Sequence, residues 1–279
     1  MLQRLLILSL SIFAFSSVFG QMFDKKQGGG FPDLQLSQKD NEFIDRQDKV
    51  FLDTIQFVLK NNPPAIHDNF RRTTAKMLMD AVFHDRFAAY RKPVQQFFHD
   101  RVLQVLGELE NTRVEQGVRI WKIYDMGFIA RTKSVTLAFD LVSGITSASE
   151  DFAMNSGEIA RFARQCDALL ITHKHEDHAD IKVAKAFIDA GLPVLATDET
   201  WPNDPIFSKI IHPERSADKL QQLKLKKHSL DFNVFPGHQL RSAINNVYMV
   251  KAPEGITLVH DGDQINEDDM MIDWQWIDR

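Results

Sequence analysis

The 279-residue chain has almost no cysteine, no excess of positive charge and no apolar run long enough to cross a membrane. The single cysteine, Cys166, excludes an intramolecular disulfide. A formal net charge of -5 leaves no excess of positive charge to neutralise phosphates, so nucleic acid is not expected as a partner. The most apolar stretch, LLILSLSIFAF, covers only eleven residues, which excludes a protein with several membrane spans. The rest of the composition is typical of a soluble globular protein.

The first twenty residues predict a secretory signal peptide. Arg4 supplies positive charge, the apolar core follows at 5–15, and small residues lie at 16–20. We expect cleavage after Gly20, which would leave Gln21 as the N-terminus of a secreted or periplasmic protein without a membrane span. The alternative interpretation is an N-terminal membrane anchor.

The remainder divides by composition and periodicity into three parts. Residues 21–36 contain three consecutive glycines and predict a flexible linker. Residues 37–115 show helical periodicity interrupted at prolines, which predicts a helical extension of three helices beginning at Ser37. Its histidines, His67, His84 and His99, are interpreted as structural or surface residues.

Residues 116–279 show strand patterns interleaved with two helical patterns, which predicts an α/β domain. The predicted helices cover 156–165 and 180–191, and Pro253 to Gly255 predict a hairpin turn between the last two strands. The predicted strands are 118–124, 134–142, 168–172, 193–197, 230–236, 246–252 and 256–260.

One motif stands out at the end of the strand 168–172. Residues 173–178 read HKHEDH, so three histidines and an aspartate lie within six positions. His173 and His175 project to the same side of an extended segment, while Asp177 and His178 come as the chain turns toward the next helix. Imidazole and carboxylate ligands suit zinc, and also iron or manganese. Two such ions can activate one hydroxide between them.

The H-x-H-x-D-H motif, its leading strand and its following helix resemble the signature of the metallo-β-lactamase superfamily. Gly237-His238 and Gly262-Asp263 each end a strand and are similar to two further signatures in the same order. The resemblance covers about 117–265. It implies a four-layer αββα sandwich and a hydrolase that uses a metal-bound hydroxide on an ester, lactone, amide or phosphoester of a small-molecule substrate.

The resemblance also implies a site with two divalent metal ions. The implied ligands are His173, His175 and His238 for the first ion, Asp177 and His178 for the second, and Asp263 as the bridge. Asp177 is further implied to orient the attacking water as the catalytic residue.

Neighbouring side chains leave alternatives open. Asp140 is expected either to support a ligand histidine or to be a simple strand-end residue. Asp261 competes with Asp263 for the bridging role, and His260 is expected to be a supporting or structural residue.

The chain also departs from the superfamily pattern. The superfamily closes its second metal site with a further histidine well after the Gly-Asp strand, yet none of the residues after Asp263 is histidine. We therefore expect a sandwich incomplete at its C-terminus and a second metal that is weakly held or absent. His212 and His228 are potential substitutes, although a surface role is expected for each.

Two alternative functions follow. The first is a catalytically impaired relative that binds metal, and the second is an exported interaction protein led by its helical segment. Oligomers are compatible with every interpretation.

Overall fold

The computed structural model describes residues 36–65, 69–83, 85, 87–144, 149–239 and 243–264. The predicted signal peptide, all but the last residue of the predicted linker, His67, His84 and the residues after 264 lie outside these described residues. Among the described helices, none is both long and apolar enough to cross a membrane. The described chain forms two compact units. One consists of residues 36–102 and 149–153, and the other consists of residues 103–144 and 154–264.

The first unit consists mainly of helices. These are α1 (Gln38–Asn61), α2 (Phe70–Phe83) and the first half of α3 (Lys92–Asn111), with a short 3-10 helix at Ala88–Tyr90. They match the three helices predicted from the sequence. Ser37 begins α1 because its side chain accepts from the backbone N–H of Asp40, whose carboxylate accepts the Ser37 N–H in return. Leu52 and Ile55 give α1 its buried face.

The second unit contains a five-stranded sheet in the order β1-β2-β3-β4-β5. Its strands are β1 (Arg119–Lys122), β2 (Phe128–Arg131), β3 (Thr136–Phe139), β4 (Ala168–Leu170) and β5 (Val194–Leu195). The first three are antiparallel, and β3, β4 and β5 are parallel. Helices α4 (Ser156–Gln165) and α5 (Ile181–Asp189) connect the parallel strands. Because parallel neighbours leave the sheet at the same edge, the ends of β3 and β4 come together.

A second sheet is an antiparallel meander in the order β6-β7-β8-β9. Its strands are β6 (Ser216–Lys224), β7 (Ser229–Gln239), β8 (Ala243–Lys251) and β9 (Thr257–His260). The predicted hairpin turn is confirmed: Gly255, at φ +88°, donates its N–H to Ala252 O at 2.9 Å between β8 and β9.

Two strands correct the sequence prediction. β2 lies between the predicted strands 118–124 and 134–142, where no element is predicted, because four residues are too few to show a period. β6 lies between the predicted strands 193–197 and 230–236, where again no element is predicted. Its side chains are mostly exposed, as expected of an edge strand, so it lacks the apolar alternation that marks a half-buried strand.

The two sheets pack face to face and share one core. Leu137, Phe139 and Leu170 of the first sheet lie in the same buried cluster as Phe232 and Val250 of the second. A hydrogen bond also links the sheets, because the hydroxyl of Tyr248 on β8 donates to Ile171 O, just beyond β4, at 3.0 Å. The described residues thus confirm the predicted α/β sandwich of two sheets with helices.

Candidate metal centre

The predicted metal motif lies in the connection between β4 and α5. Asp180 begins α5 by accepting the N–H groups of Lys182 and Val183 at 2.7 and 3.3 Å. Before it, the N–H of His178 donates to His175 O at 3.0 Å and forms a turn. This turn returns His178 to His173, so that their ring centroids lie only 3.9 Å apart.

Three predicted ligands form one compact group. Potential ligand atoms of His173, His178 and Asp263 all lie within 4.8 Å of one another. His178 Nε2 lies 3.4 Å from Asp263 Oδ1. Both histidines are fully buried, and Asp263 is largely buried. Residues 90 positions apart in the sequence therefore meet at one point, which joins the end of β4 to the segment after β9.

Two of the other three predicted ligands contact this group. His175 Nδ1 is 3.0 Å from His173 Nε2, and Asp177 Oδ2 is 3.5 Å from His178 Nε2. His238 lies on β7, where its backbone N–H donates to Gln264 Oε1 at 2.9 Å. The next residue of the strand, Gln239, donates to Asp263 Oδ2 at 2.6 Å. The assignment of all six side chains as metal ligands stays a prediction.

The buried carboxylate of Asp140 supports this group through a hydrogen bond to His178. Asp140 follows β3, is fully buried and has a positive φ of 44°. Its Oδ1 accepts the N–H of Thr172 at 2.7 Å. Its Oδ2 accepts from Thr172 Oγ1, His178 Nδ1 and His260 Nε2, at 2.7, 2.8 and 2.8 Å. Burial alone would raise the pKa of Asp140, but the two imidazoles outweigh it and hold that pKa well below its usual range.

This arrangement fixes the proton position on His178. An ionised carboxylate can only accept, so Nδ1 of His178 carries the proton and Nε2 faces His173 and Asp263. Among the described residues, Nε2 of His178 is buried and has no hydrogen-bond partner. Burial opposes a charge on His178, but the carboxylates of Asp140, Asp263 and Asp177 prevail and raise its pKa to about 10. A divalent cation would take the place of the second ring proton.

The imidazole of His173 differs in charge from that of His178. Burial, together with the positive charge of His178, lowers the pKa of His173 to about 3, so this ring is neutral near pH 7. Its Nδ1 lies 3.1 Å from Thr172 Oγ1, which leaves Nε2 directed toward His175. A neutral imidazole with an available lone pair is the form that binds metals.

The donor atoms fit a metal ion. His173 Nε2 lies 3.0 Å from His175 Nδ1, and His178 Nε2 lies 3.4 Å from Asp263 Oδ1. Both are close to the roughly 3.3 Å that separates two ligands of a tetrahedral zinc ion with bonds near 2.0 Å. Imidazole nitrogens with one carboxylate are also the donor types found in catalytic zinc sites.

Gly262 allows Asp263 to reach the site. It has a positive φ of 57°, and a Cβ atom at this position would lie 2.5 Å from Thr172 Oγ1 and 2.6 Å from Asn245 Oδ1. Asn245 on β8 also donates to Asp261 O at 2.8 Å, which fixes the turn. The glycine therefore lets the segment after β9 contact the end of β4.

The positions of the neighbouring candidates differ in the structure. Asp140 contacts a predicted ligand, and His260 contacts Asp140 as a supporting residue. Asp261 is exposed and lies outside the compact ligand group. His212 stacks on Phe207, and its ring nitrogens lie 3.3 Å from backbone carbonyls, while His228 is exposed in the turn between β6 and β7.

Several site residues were missed by the sequence analysis. Thr172 could have been noticed, because it directly precedes the motif. Gln239 and Asn245 gave no signal, since their roles depend on how β7 and β8 align. Asp125 lies in the turn between β1 and β2 with a positive φ of 46°. Burial and the charge of Asp177 raise the pKa of Asp125 to about 6.

A sequence profile described as the beta-lactamase superfamily domain matches residues 131–273, about half of the chain. The match contains the whole motif at 173–178, Asp140, His238 and Asp263. The chain belongs to the metallo-β-lactamase superfamily. Membership implies the binding of divalent metal ions, in agreement with the donor group described above.

Solved structures show partial similarity to this superfamily member. A protein described as a metal-dependent hydrolase from Parabacteroides distasonis is 16% identical, with a TM-score of 0.40 and coverage of 55% of this chain and 64% of that one. Igni18, a metallo hydrolase from Ignicoccus hospitalis, is 16% identical, with a TM-score of 0.37 and coverage of 54% and 63%. CmlA, a diiron beta-hydroxylase from Streptomyces venezuelae, is 18% identical, with a TM-score of 0.35 and coverage of 55% and 30%.

The chain spans somewhat less than two thirds of the length of the first two structures. No curated protein matches the sequence.

The role of Gly262 can be tested against a second glycine with positive φ. Gly255 lies at φ +88° with open space around it, so Gly255→Ala introduces only backbone strain, about 1 kcal/mol. Gly262→Ala adds the collision with Thr172 and Asn245, and we expect it to lower the free energy of unfolding by a further ~1–3 kcal/mol. Denaturant unfolding of both variants measures the difference. Equal losses would show that the close approach at Gly262 is unimportant.

Proposed function

We propose that this protein is a metal-dependent hydrolase that acts on an ester, lactone, amide or phosphoester bond of a small molecule. The observation that carries the proposal is the buried Nε2 of His178, which faces His173 and Asp263 and has no hydrogen-bond partner among the described residues. A buried polar atom without a hydrogen bond is costly, and a cation bound at Nε2 of His178 beside Asp263 would remove that cost.

The arrangement supports two ions, with zinc as the favoured metal and iron or manganese as alternatives. The compact group combines one implied ligand of the first ion, His173, with one of the second, His178, and with the implied bridge, Asp263. His175 and Asp177 extend it on either side. Divalent ions held there would supply Lewis-acid activation of water and of the substrate oxygen.

Two aspartates of the chain would hold the reacting groups in position. Asp140 holds the ring of His178 in one tautomer and one orientation, as carboxylates do behind metal-binding histidines. Asp177 is 38% exposed and lies at the solvent side of the buried histidines. Its carboxylate is therefore accessible to orient a water molecule and to accept its proton.

The metal assignment predicts different outcomes for two nearby aspartates. Asp263→Ala removes a carboxylate from the compact group, and we expect the purified protein to lose bound metal. His175→Ala is expected to lose metal as well. Asp261→Ala is the matched control, because Asp261 is exposed only two positions away, and it should retain the metal content of the unmodified protein. Elemental analysis of each variant gives the result. Full retention in Asp263→Ala would contradict the site.

The catalytic role of Asp177 predicts a change in turnover. Asp177→Asn keeps the size of the side chain but removes its basicity, so we expect kcat to fall about 100-fold or more. Asp198→Asn is the control, since Asp198 is an exposed carboxylate just beyond β5. Rates are measured on an aryl ester, a lactone, an anilide and an aryl phosphodiester. Metal-loaded protein that turns over none of these would support the impaired relative instead.

Export forms part of the proposal, supported by the apolar segment at 5–15 and the small residues at 16–20. We expect the protein recovered from the periplasm or the medium to begin at Gln21. N-terminal sequencing of that material checks it, and an intact Met1 would favour the membrane anchor or a protein that is not processed.

A further inference from the structure

Strand β7 ends at a buried glutamine whose side chain contacts Asp263. Gln239 pairs with Ala243, the first residue of β8, and is only 2% exposed. Its Nε2 donates to Asp263 Oδ2 at 2.6 Å. A carboxylate oxygen accepts hydrogen bonds and an amide carbonyl oxygen cannot donate one, so this contact also fixes the orientation of the amide. The carbonyl oxygen Oε1 of Gln239 is therefore directed away from Asp263.

This bond makes the two carboxylate oxygens of Asp263 unequal. Oδ2 accepts from Gln239, whereas Oδ1 lies 3.4 Å from His178 Nε2. Because the donor is held on a buried strand end, the bond opposes rotation of the carboxylate about its Cβ–Cγ bond. Oδ1 is thus the oxygen directed at the predicted histidine ligands, and Oδ2 is the oxygen held by the protein.

The contact with Asp263 also accounts for a glutamine at this buried position. Among the described residues, Oε1 of Gln239 is buried and has no hydrogen-bond partner. An unsatisfied buried acceptor is unfavourable, and an apolar side chain of similar size would avoid the loss. The bond that Nε2 donates to a carboxylate is the compensating interaction that these residues show.

On the basis of the metal-dependent function above, we propose that Gln239 sets the metal preference of the site by restricting Asp263 to bind metal through Oδ1. A carboxylate that binds through one oxygen takes one coordination position, which suits four-coordinate zinc. A carboxylate that binds through both oxygens takes two positions and suits ions with more oxygen ligands, such as Mn²⁺. Gln239 is therefore a positioning residue that favours zinc over manganese.

Replacement of Gln239 by methionine tests the proposal. Gln239→Met keeps the length of the side chain but removes its N–H donor, which releases Oδ2 to bind metal. We expect the ratio of Zn²⁺ affinity to Mn²⁺ affinity to fall roughly tenfold or more, the scale on which residues behind metal ligands act. Dialysis against mixtures of the two ions, followed by elemental analysis, measures the ratio. A residue that only stabilised the fold would weaken both ions alike and leave the ratio unchanged.

A second substitution separates the hydrogen bond from the polarity of the position. Gln239→Asn keeps a buried amide but is one methylene shorter, so it cannot reach Asp263, and we expect the same fall in the ratio. The absorption of Co²⁺ bound in place of zinc gives an independent result, because its d–d bands weaken as the coordination number rises. We expect weaker bands in both variants than in the unmodified protein.

Gln222→Met is the matched control. Gln222 is exposed on β6 and donates to Asp231 Oδ1 at 3.3 Å. The substitution therefore removes the same kind of glutamine–aspartate hydrogen bond at a position outside the candidate site. We expect it to keep both the affinity ratio and the Co²⁺ absorption of the unmodified protein.

Two results would overturn the proposal: an unchanged ratio in either Gln239 variant, or an equal shift in Gln222→Met. The proposed function has a separate readout. A shifted ratio without hydrolysis of any test substrate would leave the role of Gln239 standing and reject the hydrolase. An unchanged ratio in a metal-loaded protein that hydrolyses a substrate would reject the role of Gln239 by itself. A protein that binds neither ion would reject both.

Discussion

The candidate site depends on one buried carboxylate. Asp140 accepts hydrogen bonds from the backbone and side chain of Thr172 and from the rings of His178 and His260. It thereby ties the end of β3 to the end of β4 and to β9 of the other sheet. Burying a charge without partners is strongly unfavourable, and here the surrounding donors compensate for lost hydration. The same hydrogen bonds fix the tautomer of His178. One set of bonds to Asp140 therefore both stabilises the fold and orients the site.

Contact between the two sheets then completes the group of predicted ligands. The first sheet supplies the histidines of the β4–α5 connection, and the segment after β9 supplies Asp263. Gly262 makes the approach sterically allowed, and Asn245 fixes the turn beside it. Gln239 on β7 donates a hydrogen bond to the carboxylate of Asp263. The compact group of His173, His178 and Asp263 therefore depends on how the sheets align, including at Gln239 and Asn245, which are not predicted ligands.

The helical unit presents a different physical situation. Its apolar side chains are divided between a buried face, with Leu52 and Ile55, and an exposed stripe on α1. Exposed apolar residues scattered singly are ordinary on a protein surface, whereas three at heptad spacing, here Phe43, Val50 and Phe57, form one continuous apolar stripe.

Local patterns in the sequence determined the three N-terminal helices, most strands and the compact metal motif, because periodicity, prolines and adjacent histidines act over a few residues. Resemblance to a known superfamily also implied that Asp263 and His238 would join that motif, and the structure brings Asp263 to it. Short or polar strands such as β2 and β6 were not predicted, since their pairing depends on neighbours distant in the chain. Only the tertiary structure decided that Asp140 binds both His178 and His260, that Asp261 stays outside the group, and that Thr172, Gln239 and Asn245 support it. Those contacts join different strands across two sheets, and no spacing along a single chain encodes which side chains will meet there.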